Sequence, residues 1–95
     1  MNYKLRFHEL ALKEWGKLDG TAREQFKKKL AKRLIQPRVL ADALSGMPDC
    51  YRIKLRKTGY RLVYRVENDI LSVSVVVIGK RNKLKVYQTA QHRIN

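Results

Sequence analysis

Five cations sit on two short stretches that alternate between apolar and charged residues. Arg52, Lys54 and Arg56 lie in Cys50–Arg56, and Arg61 and Arg65 lie in Tyr60–Val66. Alternation of period two is that of a β-strand with one face buried. Tyr51, Ile53 and Leu55 share a face in the first stretch; Tyr60, Leu62, Tyr64 and Val66 share one in the second. Lys57, Thr58 and Gly59 between them are turn residues, so the two stretches predict a hairpin. For the apolar faces to coincide, odd-numbered residues of the first strand must oppose even-numbered residues of the second, which requires an even-membered loop. The five cations then share the other face, where they repel one another unless something anionic lies across them. Such a surface offers phosphate binding; the plainer alternative is a solvated sheet face.

Composition fits a polyanionic partner. The chain has 22 Lys plus Arg against 8 Asp plus Glu, a formal net charge of +14. RNA, DNA, an acidic membrane surface or an acidic protein would all match it, with salt-sensitive binding. At 95 residues, 44% of them hydrophobic, one small domain spanning 1–95 with its own core is expected. Cys50 is the only cysteine, so no internal disulfide forms, and one Cys with two distant His makes no zinc site. His8 and His92 are expected as incidental surface residues. No apolar run approaches the ~20 residues of a membrane span, and Met1 leads directly into a charged strand rather than a signal peptide. These features predict a soluble, cytoplasmic protein.

The elements that must position the hairpin follow from periodicity. Tyr3, Leu5 and Phe7 alternate with Lys4 and Arg6, a first strand over 2–7. From Glu9 the period becomes helical, with Ala11, Trp15 and Leu18 on one stripe, Leu12 beside it, and Asp19-Gly20 as the stop. Thr21 and Glu24 fit a capping box opening a second helix that runs to Gln36, with Phe26, Leu30 and Leu34 inward and Pro37 ending it. Lys27, Lys28, Lys29, Lys32 and Arg33 give that helix a basic outer surface, equally an ordinary solvated face or an RNA contact. Residues 37–49 form a loop, with a turn of helix near Ala41–Leu44. After the turn Glu67-Asn68-Asp69, Ile70–Ile78 reads as a central buried strand, with Ser72 and Ser74 on one face. Lys83–Arg93 predicts a last helix with Val86, Ala90 and Ile94 on one stripe. The order β-α-α-β-β-β, then a short helix, predicts an α+β domain: an antiparallel-rich sheet of about four strands with a two-helix hairpin on one face.

Ala11-Leu12-Lys13-Glu14-Trp15, Gly46-Met47-Pro48-Asp49-Cys50-Tyr51, Gly59-Tyr60-Arg61-Leu62-Val63-Tyr64 and Gly79-Lys80-Arg81 together resemble the RelE family, toxins of type II toxin–antitoxin pairs, over essentially the whole chain. The Tyr-Arg-Leu-Val-Tyr segment is shared with related toxins of other activity, whereas Gly-Met-Pro-Asp-Cys-Tyr points to the RelE branch. The resemblance implies the RelE/ParE-like toxin fold and a ribosome-dependent endoribonuclease. It would enter the A site of the 70S ribosome and cut mRNA by attack of a 2′-hydroxyl on its 3′ phosphate, giving a 2′,3′-cyclic phosphate. It also implies an acidic RelB-like antitoxin, and operator DNA bound only through that antitoxin. The family's functional positions fall on Lys54, Arg61, Arg81 and Tyr87, with Arg52 where a lysine is usual. Ser45 stands where a further basic residue would be expected.

That reaction needs a base, stabilisation of the phosphorane and help for the departing oxygen. Neither His8 nor His92 has an obvious partner, and the acidic residues lie away from the cationic face, so no metal or other cofactor is expected. Lys54 is left as the candidate base: neighbouring cations favour a neutral amine, while bound phosphates oppose it, so the two influences leave the balance open. Arg61 and Arg81 keep their protons and stabilise charge, Arg81 at the leaving oxygen, while the resemblance implies that Arg52 helps hold the phosphate. Tyr87 suits stacking on a splayed base. Arg56, Arg65, Lys80, Lys83, Lys28 and Lys32 complete the expected RNA-contacting set, including contacts to 16S rRNA. Two alternatives stay open: a non-catalytic RNA- or ribosome-binding protein, and a toxin of the same fold acting on DNA gyrase.

Overall fold

In the computed structural model, residues 2–80 and 85–94 are described. Strand β1 (Lys4–Phe7) is followed by helices α1 (Glu9–Lys17) and α2 (Gly20–Ile35), strands β2 (Cys50–Leu55), β3 (Tyr60–Glu67) and β4 (Ser72–Lys80), and helix α3 (Lys85–Ile94). The sheet order is β1-β4-β3-β2, with β1 parallel to β4 and the other pairs antiparallel. The expected α+β architecture is therefore observed, with one parallel edge pair.

The hairpin has the register that parity demands. Leu55 pairs Tyr60, Ile53 pairs Leu62 and Tyr51 pairs Tyr64, with residues 56–59 as the loop. Gly59 has φ 79° there, a left-handed conformation that favours glycine, and its N–H donates to Leu55 O at 2.9 Å. On this face Tyr51, Ile53, Leu55, Leu62, Tyr64, Val66, Val73, Val75 and Ile78 pack against Ala11, Leu18, Ala22, Phe26 and Leu30 of the helical hairpin. Trp15 joins this core, its ring 5.4 Å from that of Phe7 in an edge-on contact.

Helix α3 seals the opposite face with a second cluster: Met47, Cys50, Val63, Val76, Val77, Val86 and Ala90. A bulge makes this possible. Val63 pairs Val77 but Tyr64 pairs Val75, so Val76 is an extra residue of β4 and joins Val77 beneath α3. The face opposite the helical hairpin is thus a second packed layer with cations at its margins, not the open cationic surface that alternation alone predicts.

Several local expectations are corrected. Asp19 is the N-cap of α2, its Oδ1 accepting from Ala22 N at 2.7 Å, and α1 ends at Lys17 with Leu18 as its C-cap, just before the expected Asp19-Gly20 stop. Thr21 therefore lies inside the helix, and Glu24 pairs with Lys27 on the surface. A shorter first helix frees the better acceptor, a carboxylate at a helix N-terminus. Leu12, beside the stripe, is 55% exposed. Ile70 closes a one-turn 3-10 helix (Asn68–Ile70), Leu71 turns the chain with φ 48°, and β4 begins only at Ser72. His8 is not incidental: it caps α1, Nδ1 accepting from Leu10 N at 3.1 Å. No helix among the described residues is long and apolar enough to cross a membrane.

Candidate active site

Lys54 and Arg61 are direct partners across β2 and β3, and Arg61 pairs Gly79 of β4 in the same row. Adjacent strands bring such partners to about 5 Å between Cα atoms. Arg52 lies two residues before Lys54, hence on the same face, opposite Val63. Lys54, Arg61 and Arg52 are all half-buried, so each cation is held by a rigid strand rather than offered on a loose surface. Tyr87 lies on α3 and packs half-buried against the cluster that contains Val63, placing it on the same side of the sheet. Arg81 and Lys83 lie outside the described residues.

The remaining expected RNA contacts are dispersed. Arg65 is on the Lys54 face but opposite Cys50, about 13 Å along β3 from Arg61. Arg56 is exposed in the hairpin loop. Lys80 pairs Tyr60 and places its ammonium 5.5 Å from that ring, on the face of the first core. Lys28 and Lys32 are exposed on α2, in the layer behind the sheet from Lys54.

Two acidic residues brace arginines in ways the sequence reading does not anticipate, one beside Arg52 and one at the outer edge of β4. Asp42 lies in a loop running along the open edge of β2, where Leu44 N donates to Cys50 O at 3.0 Å. From there it receives Arg33 Nη2 at 2.6 Å and comes within 3.8 Å of Arg52 Nε. Arg52 Nε is buried and makes no hydrogen bond among the described residues. Arg33 is correspondingly no part of a solvated helix face: it also donates to Tyr64 Oη at 2.9 Å and to Arg52 O at 3.3 Å. Tyr64 Oη donates to Pro37 O at 2.5 Å. Burial pushes the Tyr64 phenol up, although the Arg33 guanidinium pulls the other way.

Glu14 of α1 is the second. Burial would raise its carboxyl, but hydrogen bonds from Arg93 and the Ile78 amide, with the Arg93 charge, hold it below the usual carboxylate range. Cys50 is buried, and burial pushes its thiol up, so it behaves as a core residue. Among the described residues no three of His, Cys, Asp and Glu converge on a point where they could hold a metal ion. What the arrangement can do chemically is grip an anion between cations of fixed position.

The model of the family described as ParE toxin of type II toxin-antitoxin system, parDE, matches residues 5–84. A protein of Escherichia coli strain K12 named mRNA interferase toxin RelE is 55% identical over 94 residues, 99% of each chain. The chain belongs to the RelE family. A putative RelE-like toxin of Escherichia coli is 47% identical over the same share. The structure of a mutant E. coli RelE toxin in the free state superposes with a TM-score of 0.92 at 54% identity, covering 100% of both chains. The RelE fold in the intact E. coli RelBE toxin-antitoxin complex gives a TM-score of 0.82 at 56% identity, over 85% of this chain and 99% of that one. The RelE/ParE-like fold expected from the motifs is thus the fold observed.

Proposed function

We propose that this chain, acting as a single toxin domain, is the toxin of a type II toxin–antitoxin pair and a metal-independent endoribonuclease that cuts mRNA in the ribosomal A site. Its partners are the ribosome, with 16S rRNA against its basic surfaces, and an acidic RelB-like antitoxin through which alone it meets operator DNA. It works in the cytoplasm. The observation that carries this reading is the Lys54–Arg61 pair on adjacent strands, with Arg52 one step along.

The 2′-hydroxyl gives its proton to Lys54 while its oxygen attacks the neighbouring phosphorus. Arg61 and Arg52 offset the charge gathering on the phosphorane, in a half-buried setting that strengthens them relative to water. The bond from phosphorus to the 5′ oxygen then breaks. That oxygen takes the Tyr87 phenol proton, which solvent water replaces, while Arg81 is assigned to offset its developing charge, leaving a 2′,3′-cyclic phosphate and a free 5′-hydroxyl. Tyr87 also holds the base by stacking. With no histidine pair at hand, alignment by the ribosome supplies much of the acceleration. Purified protein mixed with programmed ribosomes should cut the displayed codon, read by primer extension; intact message, with the protein bound to the ribosome, would leave a binding protein only.

A further inference from the structure

Glu14 and Arg93 are 79 residues apart and belong to helices on opposite faces of the sheet. They meet at the outer edge of β4, just past the point where β1 stops pairing at Phe7–Val75. Arg93 Nη1 and Nη2 donate to Glu14 Oε1 and Oε2, each at 2.8 Å. Ile78 N donates to Glu14 Oε1 at 3.0 Å, and Arg93 Nη1 to Val76 O at 2.9 Å. The pair therefore occupies the backbone positions that a neighbouring strand would take.

Apolar contacts of Val86 and Ala90 hold α3 down without fixing its rotation, because they are non-directional. A two-pronged guanidinium–carboxylate fork does fix it. The other end of α3 is also tightly seated: a Cβ on Gly79 would meet Val86 Cγ2 at 3.3 Å. Tyr87 follows Val86 directly.

We propose that Glu14 is a positioning residue for cleavage: with Arg93 it sets the rotation of α3 and so holds Tyr87 on the face that carries Lys54 and Arg61. This rests on the role given to Tyr87 above. Glu14→Gln keeps an acceptor for the Ile78 amide, so the fold survives while the charged fork is weakened. Maximal cutting rate and half-saturating toxin concentration are measured with toxin in excess over programmed ribosomes for Glu14→Gln, Arg93→Lys and Arg93→Ala. Each is made with Tyr87 and with Tyr87→Ala. The maximal rate should fall about tenfold in Glu14→Gln and up to about 100-fold in Arg93→Ala, with Arg93→Lys between. Half-saturation should move by less than about twofold. In the Tyr87→Ala background the same changes should cost under about twofold, because losses through one shared group do not add. If Tyr87→Ala removes all cutting, amide exchange decides: Ile78 and α3 should exchange faster in Glu14→Gln, and unchanged exchange overturns the inference. Equal losses in both backgrounds, or wild-type rates in Glu14→Gln and Arg93→Ala, also overturn it. Wild-type protein that leaves the message intact overturns the functional reading and the positioning role together.

Discussion

Lys54 and Arg61 are partner residues on adjacent strands, in one row with Gly79. Like charges directly opposite one another destabilise a sheet, so this pair carries a standing cost that an anion between them removes. Because both sit on strands packed on two sides, the cations cannot simply swing apart. A site built on strands is pre-organised in a way a loop is not. Asp42 and Glu14 extend the same logic, each bracing an arginine at the site's margin.

Asp42→Ala takes the carboxylate from the Arg33 guanidinium, which is only 14% exposed and holds it at 2.6 Å, leaving that charge with only neutral acceptors. The expected loss is about 2 kcal/mol, or roughly 10 °C in melting temperature. Asp42→Asn, which keeps an acceptor for Arg33, should lose about half as much by thermal melting.

Acid should weaken the protein through Glu14. Its folded carboxyl lies below the ordinary value of 4.5, held there by Arg93 and the Ile78 amide against burial, with His8 contributing a little. The stabilisation is therefore fully present above the unfolded value and is lost as pH falls through the lower folded one. Glu14→Gln should be less stable than wild type near pH 6, and the gap should close toward pH 3 in urea titrations.

Arg56 is exposed in the hairpin loop, and Arg65 is exposed opposite Cys50, about 13 Å along β3 from Arg61. Replacing either by Gln should weaken ribosome binding and reduce the slope of log affinity against log salt by about 1. The maximal cutting rate should stay within about twofold.

The hairpin was legible because period-two alternation and parity leave one register that buries Tyr51, Ile53, Leu62 and Tyr64 together. The helices were legible from stripes such as Phe26, Leu30 and Leu34. The cap of α2 was not, since Asp19 and Thr21 both satisfy local capping rules and only packing decides where α1 stops. The stripe Val86–Ala90 announces a helix but not the face it covers, so the second core beneath α3 was hidden, as was the bulge at Val76. Ile70 looks like strand, yet its neighbour Leu71 is the residue that turns the chain. Lys54, Arg61 and Arg52 could be placed on one face from alternation. Asp42 beside Arg52 and Glu14 beside Arg93 could not, because each contact joins segments that no periodicity relates.

Lys54 as proton acceptor is most directly tested by single-turnover cutting of A-site mRNA with Lys54→Ala and Lys54→Arg. Arginine keeps the charge but cannot give up a proton, so both variants should lose at least about 100-fold in maximal rate. Ribosome affinity should change by less than about threefold. Wild-type cutting by Lys54→Ala, or by Lys54→Arg, would contradict the account.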